Sequence, residues 1–311
     1  MQPDNLFGTG FEGYKMERKK SNTKKAKLKK VLLIILSAIL ALSIVATVFG
    51  NTYIKITEYT INLSGFSGSA KVVVISDLHG KEYGKDNKRL IAKISAQEPD
   101  AIFVVGDMLD DNDAKSGFSK TSELLLNLSD IAPVFYSYGN QEKEYSGDVI
   151  DKFINTITEN GVTVLDDSFV DCEINGQKVR IGGTMGHAFP FGRTMEEFES
   201  SDEYVFLREM EKTDAPTIVL AHMPDTFIFN GAHNYWNNID FVVSGHTHGG
   251  VIRLPFAGGI YAPMQGILPE YDYGFYKLGE DMEMVITSGL SGYKLVPRIL
   301  NLPEICVLNL G

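Results

Sequence analysis

The sequence predicts an α/β fold in which buried strands alternate with helices. Several short runs are dominated by Val, Ile, Phe and Leu, as is typical of strands covered on both faces. Many of the stretches between these runs have the apolar spacing of amphipathic helices. A polar motif begins where most of the runs stop, for example after 71–76 and 101–106. These features are typical of a sheet whose strand ends form a binding site.

The first half of the domain is predicted to alternate strands with helices. Its predicted strands are 52–63, 71–76, 101–106 and 133–138. Its predicted helices lie near 86–97, 121–128 and 147–160. Polar and apolar residues alternate in 52–63, so this strand is expected at the edge of a sheet. On the first helix, Leu90, Ile91 and Ile94 share one face, which is expected to be buried.

The second half is predicted to be richer in strands. Its predicted strands are 162–165, 169–174, 178–182, 217–221 and 240–244. One helix is expected near 194–212, and the pair Asn175–Gly176 predicts a hairpin turn between two of the strands. From Val251 onward, many Gly, Pro and aromatic residues indicate mostly β-structure.

Length and charge limit the functions that the chain can have. With 311 residues, 44% of them hydrophobic, it can form one large domain with a full core, expected over 51–311. Residues 1–50 contain nine lysines and arginines against three acids, whereas the rest of the chain has a net charge near −17. An acidic domain repels phosphate backbones, so binding to long nucleic acids is not expected.

The N-terminal region predicts a membrane anchor. Residues 31–49 form an uncharged run that spans roughly 29 Å as a helix, close to the hydrocarbon thickness of a bilayer. The preceding segment, 1–30, is polar and rich in lysine, and is expected to be disordered. Because such lysine clusters stay in the cytoplasm, an anchor at 31–50 would place the domain outside the cell. A cleaved signal peptide is the alternative.

Five polar motifs carry the functional information, each at the end of an apolar run. In chain order they are S-D-L-H (76–79), G-D-M-L-D (106–110), G-N-Q-E (139–142), A-H (221–222) and G-H-T-H (245–248). In open α/β sheets, ligands bind outside the carboxyl ends of the strands. Motifs far apart in sequence are therefore expected to converge on one site.

The side chains in these motifs suit two divalent metal ions. The candidate ligands are Asp77, His79, Asp107, Asn140, His222, His246 and His248. Carboxylates, imidazoles and an amide oxygen favour Mn, Fe or Zn. With one carboxylate shared, each ion would have four protein ligands and open positions for water and substrate. Two such ions can clamp a phosphoryl group and activate a bridging water, whose hydroxide attacks phosphorus.

The order of the motifs resembles the calcineurin-like metallophosphoesterase family over roughly residues 70–250. The resemblance implies a double β-sandwich flanked by helices (αββα). The implied ligands are Asp77, His79 and His248 for one ion and Asn140, His222 and His246 for the other. Asp107 would bridge the two ions, and Asp110 would orient a ligand.

Three C-terminal segments are similar to the membrane-anchored bacterial branch of that family: 249–255, 261–266 and 301–305. Members of this branch resemble exported phosphoesterases or phosphohydrolases, some of which act on lipid-linked pyrophosphates. The resemblance therefore implies a phosphorylated small-molecule or lipid-linked substrate and a place at the cell membrane.

One position departs from the family pattern. The family motif around Asn140 is G-N-H-[DE], and its His contacts the scissile phosphate and helps to protonate the leaving group, but this chain has Gln141. An amide can hydrogen-bond a phosphate oxygen but cannot act as a general acid, and loss of such an acid commonly costs about 10²–10⁴ in rate. His187 is a candidate replacement acid, with Arg193 as a phosphate clamp. The alternative is that His187 is an exposed loop residue with no role.

The sequence thus predicts a membrane-anchored, dinuclear-metal phosphohydrolase. A catalytically weakened protein that only binds phosphorylated ligands is the alternative, because of Gln141. A nuclease of the same family is disfavoured by the acidic charge of the domain.

Overall fold

The computed structural model describes residues 25, 27–38, 40–42, 44–45, 47, 52–116, 118–187, 194–280, 282–293 and 296–311. The chain divides into two compact units, Met1–Val48 and Phe49–Gly311. In the first unit, 27–38 is helical and its side chains are exposed. Within the part of the chain that the structure describes, no helix combines the length and apolar character needed to cross a membrane. Residues 1–24 and 26 of the basic tail and six residues of the expected anchor at 31–50 lie outside the described residues, so the anchor stays a prediction.

The second unit contains two six-stranded mixed sheets in its described residues. Across sheet A the strands are β1 (Lys55–Ile61), β16 (Glu304–Leu310), β2 (Ala70–Ile75), β3 (Ala101–Val105), β4 (Val134–Ser137) and β5 (Thr163–Leu165). Strands β2 to β5 are parallel, and β16 is antiparallel to β2 but parallel to β1. As predicted, the first strand lies at the edge of its sheet.

Sheet B has parallel central strands and an antiparallel strand at each edge. Its strands are β14 (Gly274–Leu278), β15 (Met282–Ile286), β9 (Phe241–Ser244), β8 (Thr217–Ala221), β7 (Gln177–Thr184) and β6 (Ser168–Ile174). Ile174 pairs with Gln177, which confirms the predicted two-residue hairpin turn between β6 and β7. Two small hairpins follow β9: β10 (Arg253–Leu254) with β11 (Gly258–Gly259), and β12 (Tyr261–Ala262) with β13 (Gly266–Ile267).

The helices lie on the chain connections. They are α1 (Lys88–Ser95), α2 (Asp111–Ala114), α3 (Ser119–Ser129), α4 (Asn140–Glu144), α5 (Asp148–Glu159), α6 (Met195–Glu199), α7 (Asp202–Met210) and α8 (Asp225–Ile228). Short 3-10 turns occur at Lys85–Asn87, Phe229–Tyr235 and His248–Gly250.

Three apolar clusters show that the second unit has four layers. Alternate side chains of β2 point in opposite directions: Val72 lies between the sheets, whereas Val73 packs against α1, α3 and α5. The cluster between the sheets joins residues such as Phe103 of sheet A to Leu220 of sheet B. A third cluster packs α6, α7 and α8 on the outer face of sheet B, where Val219 lies. This is the helix–sheet–sheet–helix arrangement that the resemblance implies.

The helix predicted at 194–212 is in fact two helices. Thr194 begins α6 with a capping box, in which Glu197 contacts the Thr194 backbone N–H. Ser201 is extended and its hydroxyl accepts the Tyr204 N–H, so it begins α7 as a new N-cap. The apolar pattern continues through the break, and only the side-chain caps mark it.

Candidate metal centre

Strand ends from both sheets bring the sequence motifs together. In sheet A, the chain leaving β2 carries Asp77 and His79, the chain leaving β3 carries Asp107, and Asn140 begins α4 just after β4. In sheet B, the chain leaving β8 carries His222, and the chain leaving β9 carries His246 and His248. Because the two sheets pack face to face and these strands are parallel within each sheet, their carboxyl ends meet at one edge of the sandwich.

Six of the candidate ligands form two groups that could each hold a metal ion. One group is Asp77, His79 and His248, and the other is Asp107, His222 and His246. Within each group, one ligand atom per residue lies within 4.8 Å of the others. The first group has the same members that the family resemblance implies for the first ion.

Asp107 lies between the two groups. Its Oδ2 atom is 3.3 Å from Nε2 of His222 in its own group and 3.6 Å from Nε2 of His79 in the other. Its Oδ1 atom accepts a hydrogen bond of 2.8 Å from the backbone N–H of Gln141. One carboxyl oxygen is therefore fixed by the protein, while the other faces both groups, as a shared ligand requires.

Backbone carbonyl groups orient two of the histidines. Nδ1 of His222 lies 2.8 Å from the carbonyl oxygen of Val105, and Nδ1 of His248 lies 3.2 Å from that of Ser291. A carbonyl oxygen only accepts hydrogen bonds, so Nδ1 carries the proton in both rings. In the neutral ring this leaves Nε2 as a lone-pair donor directed at the site, as in most metal-binding histidines, and His222 reaches that state by losing its Nε2 proton when metal binds.

Four buried polar atoms at the site lack a hydrogen-bond partner. Among the described residues, Nε2 of His79, His222 and His246 and Oδ1 of Asn140 are buried and have no hydrogen-bond partner. Leaving one such atom unsatisfied costs about 1–3 kcal/mol. Four of them converging in one place fit a site whose ligand atoms bind metal, and the nitrogen and oxygen donors match Mn, Fe or Zn.

The backbone at the site adopts an unfavourable conformation. The residues with positive φ include Asp77, His79, Asp107, His246 and His248, with φ between 47° and 65°. Non-glycine residues rarely adopt this region, and such strain is most common at functional sites. The sharp turns that end the strands therefore direct the ligand side chains inward, and the sheets behind them hold the strain.

Close approach of the chain requires glycine at position 139. A Cβ atom there would lie 2.3 Å from Oδ1 of Asp107 and 2.5 Å from its backbone nitrogen. Any larger residue would push the loop that carries Asn140 away from Asp107.

The electrostatics of the site keep most of its histidines neutral. Burial lowers the pKa of His79, His246 and His248, and that of His248 reaches about 4. Burial also acts to lower the pKa of His222, but the neighbouring Asp107 carboxylate outweighs it and raises that pKa to about 10. In the same way, burial disfavours the Asp107 anion, yet His222 holds the pKa of this carboxyl below its usual range.

Glu142 joins two of the ligand loops, a role that the sequence did not reveal. Its side chain is buried, and Oε2 accepts the N–H groups of Asp107 and Gly139, both at 2.8 Å. Oε1 accepts the N–H groups of Met108 and Leu109 at 2.9 and 3.3 Å. The motif contained this residue, but the four donors come together only in the folded chain.

Arg298 is a second supporting residue that the sequence analysis missed. Its fully buried guanidinium donates to the backbone carbonyl groups of Ser288, Gly289 and Ser291. Burial lowers the pKa of Arg298 to about 10, so the group is cationic at pH 7. Because Ser291 also orients His248, this arginine positions a ligand from outside the site.

A cavity of about 540 Å³ opens onto the site. Besides the ligands, its wall includes Lys81, Tyr293, Val296 and Pro297. The Tyr293 ring packs edge-on against the ring of His248 at 5.6 Å. The cavity thus has a cationic group and an aromatic and apolar wall next to the metal ligands.

The three residues with predicted catalytic roles have different positions. Gln141 and Asp110 both line the cavity, and Oδ1 of Asp110 accepts the Asp113 N–H at 2.8 Å. His187 is outside the described lining of the cavity, and its Nδ1 lies 3.1 Å from Oδ2 of the buried Asp225. Arg193 lies outside the described residues. The roles of these residues stay predictions.

We expect Glu142→Gln to destabilise the protein and weaken metal binding. Each carboxylate oxygen accepts two N–H groups, so the amide NH₂ of glutamine would face donors in either orientation. The expected loss is about 2–4 kcal/mol in the free energy of unfolding, measured by chemical denaturation. Glu159→Gln, an exposed change at the end of α5, is the control. Equal stability of the two variants would contradict this role.

Comparison with known proteins identifies the family of this chain. Residues 70–250 match the family model described as calcineurin-like phosphoesterase. The chain is 29% identical over 264 residues to the uncharacterized metallophosphoesterase YkuE of Bacillus subtilis, covering 83% of this chain and 85% of that protein. It is 26% identical over 249 residues to the phosphodiesterase YaeI of Escherichia coli, covering 77% of this chain and 82% of that protein.

More distant matches add no further detail. The structure is similar to a dimetal phosphatase from Danio rerio, with 9% identity, a TM-score of 0.40 and coverage of 71% of this chain and 88% of that one. The chain spans less than two thirds of the length of several other curated relatives. The family model covers more than half of the chain. The chain therefore belongs to the calcineurin-like phosphoesterase family and is a metal-dependent phosphoesterase.

Proposed function

We propose that this protein is a membrane-anchored hydrolase that cleaves phosphoester or pyrophosphate bonds with two divalent metal ions that share Asp107. One observation carries the proposal: a single oxygen of Asp107 lies within 3.6 Å of a histidine in each of the two candidate ligand groups. A carboxylate between two nitrogen-rich groups is the arrangement that a dinuclear centre needs.

The candidate ligands would have different roles in hydrolysis. When bound, two divalent ions would polarise the phosphoryl group and supply an activated water as the nucleophile. The neutral rings of His79, His246 and His248 present Nε2 without first losing a proton. Asn140 adds a neutral oxygen ligand, which limits the negative charge that faces the phosphate of the substrate.

Gln141 shapes the site without acting as an acid. Its backbone N–H holds Asp107, and the residue lines the cavity where a substrate phosphate would bind. The side-chain amide can hydrogen-bond a phosphate oxygen but has no proton to give to a leaving group. The best substrates should therefore have leaving groups that depart without protonation, such as the phosphate half of a pyrophosphate.

The cavity supports a substrate that has both a phosphate and an organic group. Lys81 offers a positive charge to a substrate phosphate, and it is the one Lys or Arg among the described lining residues. Tyr293, Val296 and Pro297 offer an apolar surface to the rest of the molecule. A phosphorylated small molecule or a lipid-linked pyrophosphate has this combination of groups.

The uncharged run at 31–49 and the lysines before it support a place at the cell membrane. We infer that the N-terminus is cytoplasmic and that the catalytic domain lies outside. Protease added to intact cells should then digest the domain and leave the N-terminal tail intact. Protection of the domain until the membrane is broken would contradict this orientation.

We expect Asp107→Asn to lose both metal and activity. An amide oxygen carries no charge to share between two cations, so at least about a thousandfold loss of kcat/KM is expected. The full chain, purified in detergent and refilled with Mn, Fe or Zn, is assayed on phosphomonoesters, phosphodiesters and pyrophosphates. Metal content is measured in parallel, and Asp214→Asn at an exposed loop position is the control.

The same assay distinguishes a hydrolase from a protein that only binds phosphorylated ligands. Metal-dependent turnover by the parent chain that Asp107→Asn lacks supports the hydrolase. Two bound ions without turnover on any substrate class would instead support the protein that only binds phosphorylated ligands. Equal metal content and equal turnover in the two chains would contradict the proposed centre.

We expect Gln141→His to restore a proton donor. Activity on alkyl phosphates, whose leaving groups need a proton, should rise by a larger factor than activity on nitrophenyl esters, up to about 10²-fold. Gln141→Asn, which keeps an amide, is the control. An equal change on both kinds of substrate would show that protonation of the leaving group is not what this position controls.

A further inference from the structure

Large apolar side chains project into solvent from the turns that follow the metal centre. They are Leu254, Phe256, Met264, Ile267, Leu268 and Leu300, here called the apolar tips. Phe256 is fully exposed, and Ile267 and Leu268 are 78% and 62% exposed. Single exposed apolar residues are common on proteins, but a group of this size on neighbouring turns marks an interaction surface.

Several of the apolar tips also have a backbone conformation that is rare for large side chains. Phe256, Met264, Leu268 and Leu300 all have positive φ, between 53° and 70°. Turns that need this conformation normally use Gly or Asn, because a bulky side chain is strained there. The tips are exposed, so the strain is not offset by burial within the domain. Folding alone does not explain large apolar residues at these positions.

The turns that carry the apolar tips are joined to segments that line the cavity. The segment that carries Leu300 is joined to the first hairpin, since the Arg253 N–H donates to the carbonyl group of Ile299 at 3.1 Å. The second hairpin carries Tyr261, whose ring lies 6.2 Å from that of the cavity residue Tyr293. Met264 directly follows Pro263, which also lines the cavity. A surface that covered the tips on the second hairpin would therefore lie beside the lining residues Pro263 and Tyr293.

The tips also lie near the point where the chain enters the domain. The Lys55 N–H, at the start of β1, donates to the carbonyl group of Pro303, and its ammonium lies 2.7 Å from the hydroxyl of Tyr273. Arg253 of the first hairpin packs on the same Tyr273 ring. The uncharged run ends at Phe49, so five residues, at most about 20 Å of extended chain, separate it from Lys55.

We propose that the apolar tips insert into the surface of the bilayer that holds the N-terminal run and keep the cavity mouth against the lipid. This inference rests on the proposed function and names its substrate class: a phosphorylated lipid whose phosphate enters the cavity while its tail stays in the membrane. The strongly acidic domain is repelled by anionic lipids, so docking depends on apolar insertion rather than on charge attraction, and added salt does not weaken it.

The direct test measures insertion at one tip. Full-length protein carrying Phe256→Trp is reconstituted in phosphatidylcholine vesicles whose acyl chains are brominated. The natural Trp236 is buried and gives the same background in every variant. The matched control is Lys178→Trp, an exposed position near the amino end of β7, at the opposite end of that strand from the site.

We expect the fluorescence of the Phe256→Trp protein to be quenched several times more strongly by brominated lipid than that of the Lys178→Trp protein, with little change in high salt. Equal quenching of the two would overturn the proposal. Protection from an aqueous quencher that appears without lipid and rises with protein concentration would also overturn it, because a second copy would then cover the tips.

A second measurement links insertion to the substrate. In Phe256→Ser/Ile267→Ser, hydrolysis of a polyisoprenyl pyrophosphate in vesicles should fall at least about tenfold, since each lost side chain removes roughly a factor of ten in partitioning. Hydrolysis of a soluble nitrophenyl phosphate should be unchanged. Equal losses on both substrates would contradict the docking role. Quenching requires no turnover, so this inference and the proposed function can fail separately.

Discussion

The buried carboxyl group of Asp107 is the constraint on which the rest of the site depends. A carboxylate removed from water is stable only when hydrogen bonds or positive charges compensate it. Here Gln141 donates to one oxygen, and the other oxygen faces His79 and His222. The loop that carries Asp107 must therefore stay fixed relative to loops from both sheets. Glu142 holds it on one side, and the close approach of Gly139 leaves no room for it to shift.

The sandwich makes this fixation possible. Two sheets with a close-packed apolar layer between them give the strand ends a rigid base. Turns with positive φ can then project ligand side chains inward without relaxing. Arg298 stabilises the C-terminal segment in a similar way. It donates to the carbonyl group of Ser291, and the same carbonyl group orients the ring of His248. A phosphoesterase site needs ligands held this firmly because its geometry must suit the transition state before substrate arrives.

Local patterns were enough to predict much of the fold and the residues that form the two candidate ligand groups. The apolar runs that became β2, β3, β8 and β9 are read easily because both faces of each strand are buried. The candidate ligands Asp77 and His222 could be found because a polar residue abruptly follows each apolar run. The break between α6 and α7 was missed since the apolar period continues across it and only the Ser201 hydroxyl marks the new start.

Long-range contacts explain what the sequence could not reveal. In the sequence, nothing distinguishes Glu142 from the other acidic residues. Its role depends on four N–H groups from two loops, which reach its carboxylate only in the folded chain. Arg298 lies 50 residues beyond His248 in the chain, and no local pattern connects them. The exposed turns around Phe256 were predicted only as β-structure, because exposure is a property of the folded surface.

Electron paramagnetic resonance of the full chain loaded with Mn²⁺ most directly tests whether two ions share the Asp107 carboxylate. Ions bridged by Asp107 would lie about 3.5–4 Å apart, close enough for their spins to couple. If Asp107 binds both ions, the spectrum at two equivalents of metal is that of an exchange-coupled pair. The spectrum of isolated, uncoupled ions at full occupancy would contradict this shared binding.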